Sequence, residues 1–153
     1  MSIFSSCLII LILLGGAPAS SPRPPTRPFD EFGDIKSEDE MARLDNFAVQ
    51  LQNEPQAKGA IIFYGGKTFR GRLPRQGEAE ARAARLKQYL VGRRGIPSDQ
   101  VMVLNWGYTA EWHVQLWMVP QGASMPDRDI TIPLKEIKFR KGRVNPREFR
   151  CRV

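Results

Sequence analysis

The sequence RAARLKQYLVGRRGIPSDQVMV, residues 82–103, contains most of a helix, its end, a turn and the start of a strand in succession. Apolar residues recur at intervals of three or four over residues 77–94, as on one face of a helix: Ala79, Ala83, Leu86 and Leu90. Gly95 is a natural helix end, because glycine adopts the left-handed backbone conformation without steric cost. Residues 96–99 then predict a turn, and QVMVLNW at 100–106 predicts a strand.

A helix followed by a strand also precedes this stretch. The first helix carries an apolar stripe at helical spacing: Met41, Leu44, Phe47, Ala48 and Leu51. Ser37 and Glu40 have the spacing of a capping box, which predicts the start of this helix. GAIIFY at residues 59–64 is a continuous apolar run, typical of a buried central strand. A short aromatic segment at 29–35, with Phe29 and Phe32, predicts a strand before both.

The C-terminal third predicts further strands. EWHVQLWMV, residues 111–119, alternates between two faces, with Trp112 and Val114 on one and His113 on the other. The connection 107–110 is short enough for a hairpin. Residues 120–129 predict a polar loop, and 130–139 a further edge strand. The order strand, helix, strand, helix, strand, strand predicts an α/β fold, a two-layer sandwich with a mixed sheet over residues 29–119.

The first 28 residues predict export. Residues 7–14 are apolar and lead to the small-residue site Ala17-Pro18-Ala19, so 1–19 is typical of a cleaved signal peptide. No Lys or Arg precedes the apolar core, and an uncleaved membrane anchor is therefore the alternative. Residues 20–28 are rich in proline and predict a linker. We expect a periplasmic or secreted protein.

Charge and cysteine are unevenly placed. Residues 135–153 carry eight basic and two acidic side chains, a net +6 of the chain's +7. Outside the cytosol such a basic tail would meet anionic envelope polymers or lipid headgroups, and a solvated tail without a partner is equally consistent. We expect no nucleic acid as partner. After signal cleavage Cys151 is the only cysteine, so no internal disulfide can form.

Gly66, Lys67 and Thr68 match the last three letters of a nucleotide-binding phosphate loop. That loop needs another glycine five residues before Gly66, which lets the backbone wrap around the phosphates. Ile61 stands there, inside the predicted strand, and no helical pattern begins at Lys67. The sequence therefore argues against a phosphate loop, and we expect no cofactor.

A wider pattern resembles the OmpA C-terminal domain family, whose members are periplasmic modules that bind peptidoglycan without catalysis. The resemblance extends over about residues 29–119 and is most specific in the quoted stretch 82–103. The matching features are Phe29, the apolar helix 44–51, the segment 66–69, the helix residues 79–83, Tyr89-Leu90 and Gly95-Ile96-Pro97.

The resemblance also implies a site. In the family, a loop Asp and a helix Arg hold the ammonium and the carboxylate of the diaminopimelate residue of peptidoglycan. Arg82 matches the family Arg, but Phe69 stands where the Asp is expected, and residues 65–76 contain no acidic residue. An anion is then a better ligand than a zwitterion. The ligand-binding residues predicted are Arg82, Gly66, Lys67, Thr68 and Arg75.

Three alternatives stay open at this point. The site is vestigial in an envelope structural or protein-interaction domain, with Arg82 a surface residue paired to Glu78 at the i, i+4 spacing. Alternatively, Trp106, Tyr108, Trp112 and Trp117 line a binding face instead of the core. The third alternative is an enzyme, whose catalysis would depend on His113, the only histidine. Because one histidine and one mature cysteine cannot form an ordinary metal site, we expect no metal, and we expect no enzyme. The predicted function is a non-catalytic envelope module that binds peptidoglycan or another anionic envelope component.

Overall fold

The computed structural model describes residues 27–142, 144 and 145. These residues form four strands and two α-helices: β1 (Asp30–Phe32), α1 (Ser37–Asn53), β2 (Lys58–Thr68), α2 (Glu78–Arg94), β3 (Val101–Glu111) and β4 (His113–Val119). The sheet order is β1-β4-β2-β3, with β2 parallel to β3 and antiparallel to β4, and β4 antiparallel to β1. The predicted α/β sandwich with a mixed sheet is confirmed.

The two helices cover one face of the sheet. Their predicted apolar stripes are buried against it except for Met41, which is half-buried, and Gly95 ends α2 in the left-handed conformation at φ 68°. The capping box predicted at the start of α1 is wrong. Ser37 is already helical, and the N-cap residue is Lys36, which makes no side-chain cap. Glu40 turns inward instead and forms a buried ion pair with Arg85 of α2.

The other face of the sheet is covered by the segment that follows β4. Alternate residues of β2 and β4 meet residues of β3 in a second apolar cluster: Ala60, Ile62, Tyr64, Trp106, Trp117 and Val119. Ala123 and Met125 pack against this cluster from the segment after β4. Residues 120–140 are therefore part of the packed domain.

Residues 130–139 form no strand. The edge strand predicted there is replaced by an isolated bridge between Ile132 and Tyr108 and by a short 3₁₀-helix, Leu134–Glu136. Further along, the amide N–H of Arg140 donates to the carbonyl of Pro74 (2.9 Å), which returns the chain to the loop before α2.

The hairpin predicted between the last two strands is also wrong. β3 and β4 are separated only by Trp112, yet they lie on opposite sides of β2. β3 bulges at Gly107, where φ is 109°, and its last residues run on beside β2 as far as Thr68. The chain then crosses the end of β2 and returns as β4.

Gly66 makes this crossing possible. A Cβ atom at this position would lie 2.6 Å from the Trp112 amide nitrogen and 2.3 Å from the Thr68 carbonyl oxygen. Both neighbours are backbone atoms, so neither can rotate away. Gly65 is covered in a similar way by the ring of Tyr108, whose Cε1 would lie 2.4 Å from an added Cβ. The two glycines are therefore required by packing.

Neither helix among residues 27–142 is long and apolar enough to cross a membrane. The predicted signal peptide, most of the predicted linker, Cys151 and the end of the basic tail lie outside the described residues.

Candidate functional site

Arg82 lies in the second turn of α2 with its side chain only 9% exposed. Its guanidinium is sandwiched between two aromatic rings, 3.9 Å from the ring centroid of Phe69 and 4.6 Å from that of Trp112. Its Nη2 donates to Oδ1 of Asp34 at 2.9 Å. The alternative of a surface Arg82 paired with Glu78 is therefore wrong.

The space around Arg82 is narrow and almost filled by the side chains that line it. We call it the closed pocket; its lining includes Gly65, Gly66, Phe69, Arg75, Arg82 and Trp112. It measures about 10 Å³, which is room for about one water molecule. A planar guanidinium stacked between two rings is well stabilised, because each ring face attracts the cation. In this arrangement Arg82 is committed to protein contacts on both of its faces.

Asp34 was missed by the sequence analysis. It follows β1, and its carboxylate accepts from Arg82 and from Nε of Arg70 (2.5 Å). The side chain is 27% exposed. Residues 65–76 do lack an acid, but a carboxylate reaches Arg82 from the loop after β1. The one available signal was Gly33-Asp34 at a predicted strand end, and nothing local connects it with a residue 48 positions away.

The charges of this group are strongly coupled. Burial alone would raise the pKa of Asp34, but the hydrogen bond from Arg70 and the positive charges of Arg82 and Arg70 outweigh it, so the pKa lies below its ordinary value. Burial lowers the pKa of Arg82 to about 10, against the opposing effect of Asp34. Both groups are therefore ionised at neutral pH.

A tight turn holds Phe69 over Arg82. Phe69 and Arg72 exchange two backbone hydrogen bonds of 2.8 and 3.0 Å, with Arg70 and Gly71 at the tip. Their φ angles are 49° and 70°, as in the hairpin turn that favours Asn-Gly. Within residues 27–142, Arg70 is the only non-glycine residue with positive φ. Its ion pair with Asp34 fastens the turn to the loop after β1.

Of the other predicted site residues, some line the closed pocket or the cleft beside it and others do not. Gly66, Lys67 and Thr68 lie in β2, which agrees with the argument against a phosphate loop. Gly66 lines the closed pocket, whereas Lys67 is exposed at the strand end and does not. Thr68 pairs with Glu111 of β3. Arg75 lies just before α2 and contributes to the closed pocket and to an open cleft beside it.

The open cleft is the second feature of this region. We call it the arginine cleft, and define it by Phe69, Arg70, Arg72, Arg75, Glu78 and Arg140, with Leu73 on its wall. Its volume is about 340 Å³. The turn contributes two arginines, the loop before α2 one, and the returning C-terminal segment one.

Glu78 is the acidic residue of the arginine cleft. It opens α2 and is buried, with its Oε2 accepting from the backbone N–H of Arg75 at 2.8 Å. The same oxygen lies 3.6 Å from Nε of Arg75 and 3.8 Å from Nη2 of Arg140. Glu78 therefore fixes both arginines at the helix start. No carboxylate among the described residues pairs with Arg72, which is exposed. Counted over the described residues, the cleft carries four guanidinium groups against one carboxylate.

The remaining aromatic residues belong mainly to the core. Trp112 lies on the helix side of the sheet, and Trp106 and Trp117 on the other, so these residues do not share one face. Tyr108 packs on Gly65 and against Phe139.

His113 is part of the second face. Its ring stacks on Tyr64 at 4.3 Å, and Nδ1 lies 3.3 Å from Oγ1 of Thr109. Tyr64 donates to Asp129 at 3.0 Å, and its burial raises its pKa. The hydrogen bond from Tyr64 to Asp129 fastens the segment after β4 to the sheet.

Among residues 27–142, 144 and 145, no group of three or more His, Cys, Asp or Glu side chains could hold a metal ion. Comparison of the chain with protein-family models, with curated proteins and with solved structures found no match.

Proposed function

We propose that this chain is a non-catalytic binding module of the cell envelope, periplasmic or secreted, which holds peptidoglycan or another anionic envelope component. The observation that carries the proposal is the arginine cleft, an open space of about 340 Å³ with an excess of guanidinium groups. Such groups bind carboxylates and phosphates by charge-assisted hydrogen bonds, often two at a time.

The ligand position proposed is different from that implied by the family resemblance. Arg82 is enclosed by Phe69, Trp112 and Asp34, and the closed pocket has no room for a diaminopimelate side chain. We assign Arg82 a positioning role, because it supports the ring of Phe69, whose turn presents Arg70 and Arg72 to the cleft. The resemblance places the ligand loop at this same end of the sheet.

The proposal is tested by sedimentation of the full chain with purified peptidoglycan at low salt. We expect the chain to pellet, and we expect Arg72→Gln combined with Arg140→Gln to reduce the pelleted fraction strongly. Arg93→Gln is the matched control, because Arg93 is an exposed arginine at the far end of α2. Raising the salt concentration should release the chain, since exposed charge interactions are screened. A chain that stays in the supernatant at low salt contradicts the proposal.

A second candidate is an envelope structural or protein-interaction domain without a ligand. The closure of the pocket around Arg82 favours it, since a vestigial site is expected to be filled by its own side chains. In this case Arg72→Gln and Arg140→Gln should cross-link to the same envelope proteins as the unchanged chain does. Neither the unchanged chain nor any variant should pellet with peptidoglycan.

A further inference from the structure

We infer that the anion held in the arginine cleft is a phosphate group. This inference rests on the proposed function for the envelope setting. It extends that function by naming the chemistry of the ligand. It depends on where the guanidinium groups come from, on the charge balance of the cleft and on the apolar side chains of its wall.

The donors reach the cleft from three separate parts of the chain. Arg72 comes from the turn, Arg75 from the loop before α2, and Arg140 from the C-terminal segment, which a backbone hydrogen bond to Pro74 brings back. A carboxylate presents its two oxygens in one plane and suits one or two forks lying in that plane. A phosphate presents oxygens in tetrahedral directions, so donors that converge from several sides can each reach a different oxygen.

The charge balance favours a doubly charged anion. The cleft and the adjoining closed pocket bring together five arginines: Arg70, Arg72, Arg75, Arg82 and Arg140. Among the described residues, two carboxylates oppose them, Asp34 on one side and Glu78 on the other. The excess of three positive charges is only partly neutralised by one carboxylate. A phosphate monoester carries a charge of about −2 above its second pKa of about 6.

The turn itself is built at a cost. Arg70 is held at φ 49°, a conformation that is unfavourable for a residue with a side chain, and residues in such conformations cluster at ligand-binding sites. Its side chain remains 68% exposed while it binds Asp34. That of Arg140 is 42% exposed. The two arginines at the cleft mouth are therefore accessible to a ligand.

The wall of the cleft has an apolar side. The ring of Phe69 and the side chain of Leu73 line the cleft together with the arginines, and Leu73 is exposed. A phosphate carried on an organic group would place that group against these two side chains. Two envelope sources have this chemistry: a polymer that carries phosphate monoester groups, and a lipid headgroup that ends in a phosphate monoester.

The test compares methyl phosphate with acetate by calorimetric titration of the full chain at constant ionic strength. At pH 7.5 we expect methyl phosphate to bind about tenfold more tightly than acetate, because at least one further charge-assisted hydrogen bond forms. At pH 5 this advantage should shrink, since the phosphate loses one of its two charges. Equal affinity for the two anions at pH 7.5 would overturn the inference.

Variants assign the binding to the cleft. Arg72→Gln should weaken methyl phosphate binding about tenfold, and the charge-matched control Arg93→Gln should leave it unchanged. Arg72 is exposed and its side chain makes no ion pair within the described residues, so its replacement leaves the fold intact, which circular dichroism checks. Equal losses in both variants would show a nonspecific charge effect and overturn the inference.

The outcomes separate this inference from the proposed function. Pelleting with peptidoglycan without any preference for phosphate overturns the inference and leaves the envelope function. Phosphate binding without retention on any envelope material supports the phosphate site and refutes the envelope function. Peptidoglycan treated with a phosphatase that removes monoester phosphate, and vesicles of phosphatidic acid against phosphatidylglycerol, identify the source. In both arms the Arg72→Gln variant is compared with Arg93→Gln.

Discussion

Replacing Gly66 by Ala should destabilise the domain strongly, because the chain crosses β2 at this residue. An added Cβ would lie 2.3 Å from the Thr68 carbonyl oxygen, 2.6 Å from the Trp112 nitrogen and 3.0 Å from the Glu111 carbonyl carbon. Ordinary contact begins near 3.4 Å, so the crossing backbone must move by about 1 Å. The φ of Gly66 is not in the positive range, and the penalty is therefore steric and not conformational.

The magnitude follows from two contributions. Overpacking costs about 1–3 kcal/mol, and the three contacts at Gly66 place it at the upper end of that range. Displacing the crossing also weakens one or two backbone hydrogen bonds between β2 and its neighbours, at about 1 kcal/mol each. The free energy of unfolding should therefore fall by about 3–5 kcal/mol in total.

Urea unfolding followed by circular dichroism measures this loss. With a slope of about 2 kcal/mol per molar, the midpoint should fall by about 1.5–2.5 M. Gly92→Ala is the matched control, since a Cβ there meets nothing within 4 Å and the residue lies in α2. It should stabilise by up to about 1 kcal/mol. A Gly66→Ala protein within about 1 kcal/mol of the unchanged chain would refute the crossing geometry.

Three further changes test other contacts. Asp34→Asn should lower the free energy of unfolding by about 1–2 kcal/mol at pH 7. This value lies between those of surface ion pairs and of buried ion pairs, because the pair of Asp34 with Arg82 is partly buried. Because the folded pKa of Asp34 is lowered from 3.8, its stabilisation is present above that pH and is lost as pH falls through the folded pKa, so unfolding curves of the two proteins should converge in acid. Tyr64→Phe removes the hydrogen bond to Asp129, so it should lower the free energy of unfolding by about 1–2 kcal/mol and speed proteolysis between residues 120 and 132. Unchanged cleavage would contradict the attachment of this segment through Asp129. Gln100→Leu removes the amide that donates to the carbonyls of Leu51, Glu54 and Ala57, at the end of α1 and in the turn after it. The Glu54 carbonyl keeps a second donor, the Ala57 N–H, but the other two lose the amide, so the free energy of unfolding should fall by about 3 kcal/mol in thermal or urea titrations. A neutral result would mean that water replaces the amide.

The helices and the central strand could be predicted from the sequence because their signals are local. Leu86 and Leu90 repeat at helical spacing, and the run 59–64 is apolar on both faces because both faces of β2 are buried. Each of these patterns depends only on which residues leave water. The fold class follows from their order.

The partner of β4 could not be predicted in this way. The short connection around Trp112 favours a hairpin, and only the contact of that connection with Gly66 shows that the chain crosses β2 instead. In the sequence, Gly66 matches a motif that it does not form. Its actual role is visible only when residues about 45 positions apart are brought together, as Gly66 and Trp112 are.

The candidate site was predicted in part for the same reason. Arg82 and Arg75 were predicted and do lie in this region, but no local pattern indicates that Phe69 packs over Arg82. Asp34 and Arg140 come from the two ends of the domain and meet this region through long-range contacts. Side chains that converge from distant segments leave no periodic pattern.

The insertion of β4 between β1 and β2 sets an order of events during synthesis. β1 has one strand neighbour, β4, and its partners lie at residues 114–116, more than 80 positions later. Contacts of such separation form late, since the loop between them must close first. While a ribosome still holds residues 113–119, β1 remains unpaired and β2 keeps an open edge. The chain can therefore complete its sheet only after nearly all of the domain has emerged, which leaves a long interval in which a holding chaperone can keep it unfolded.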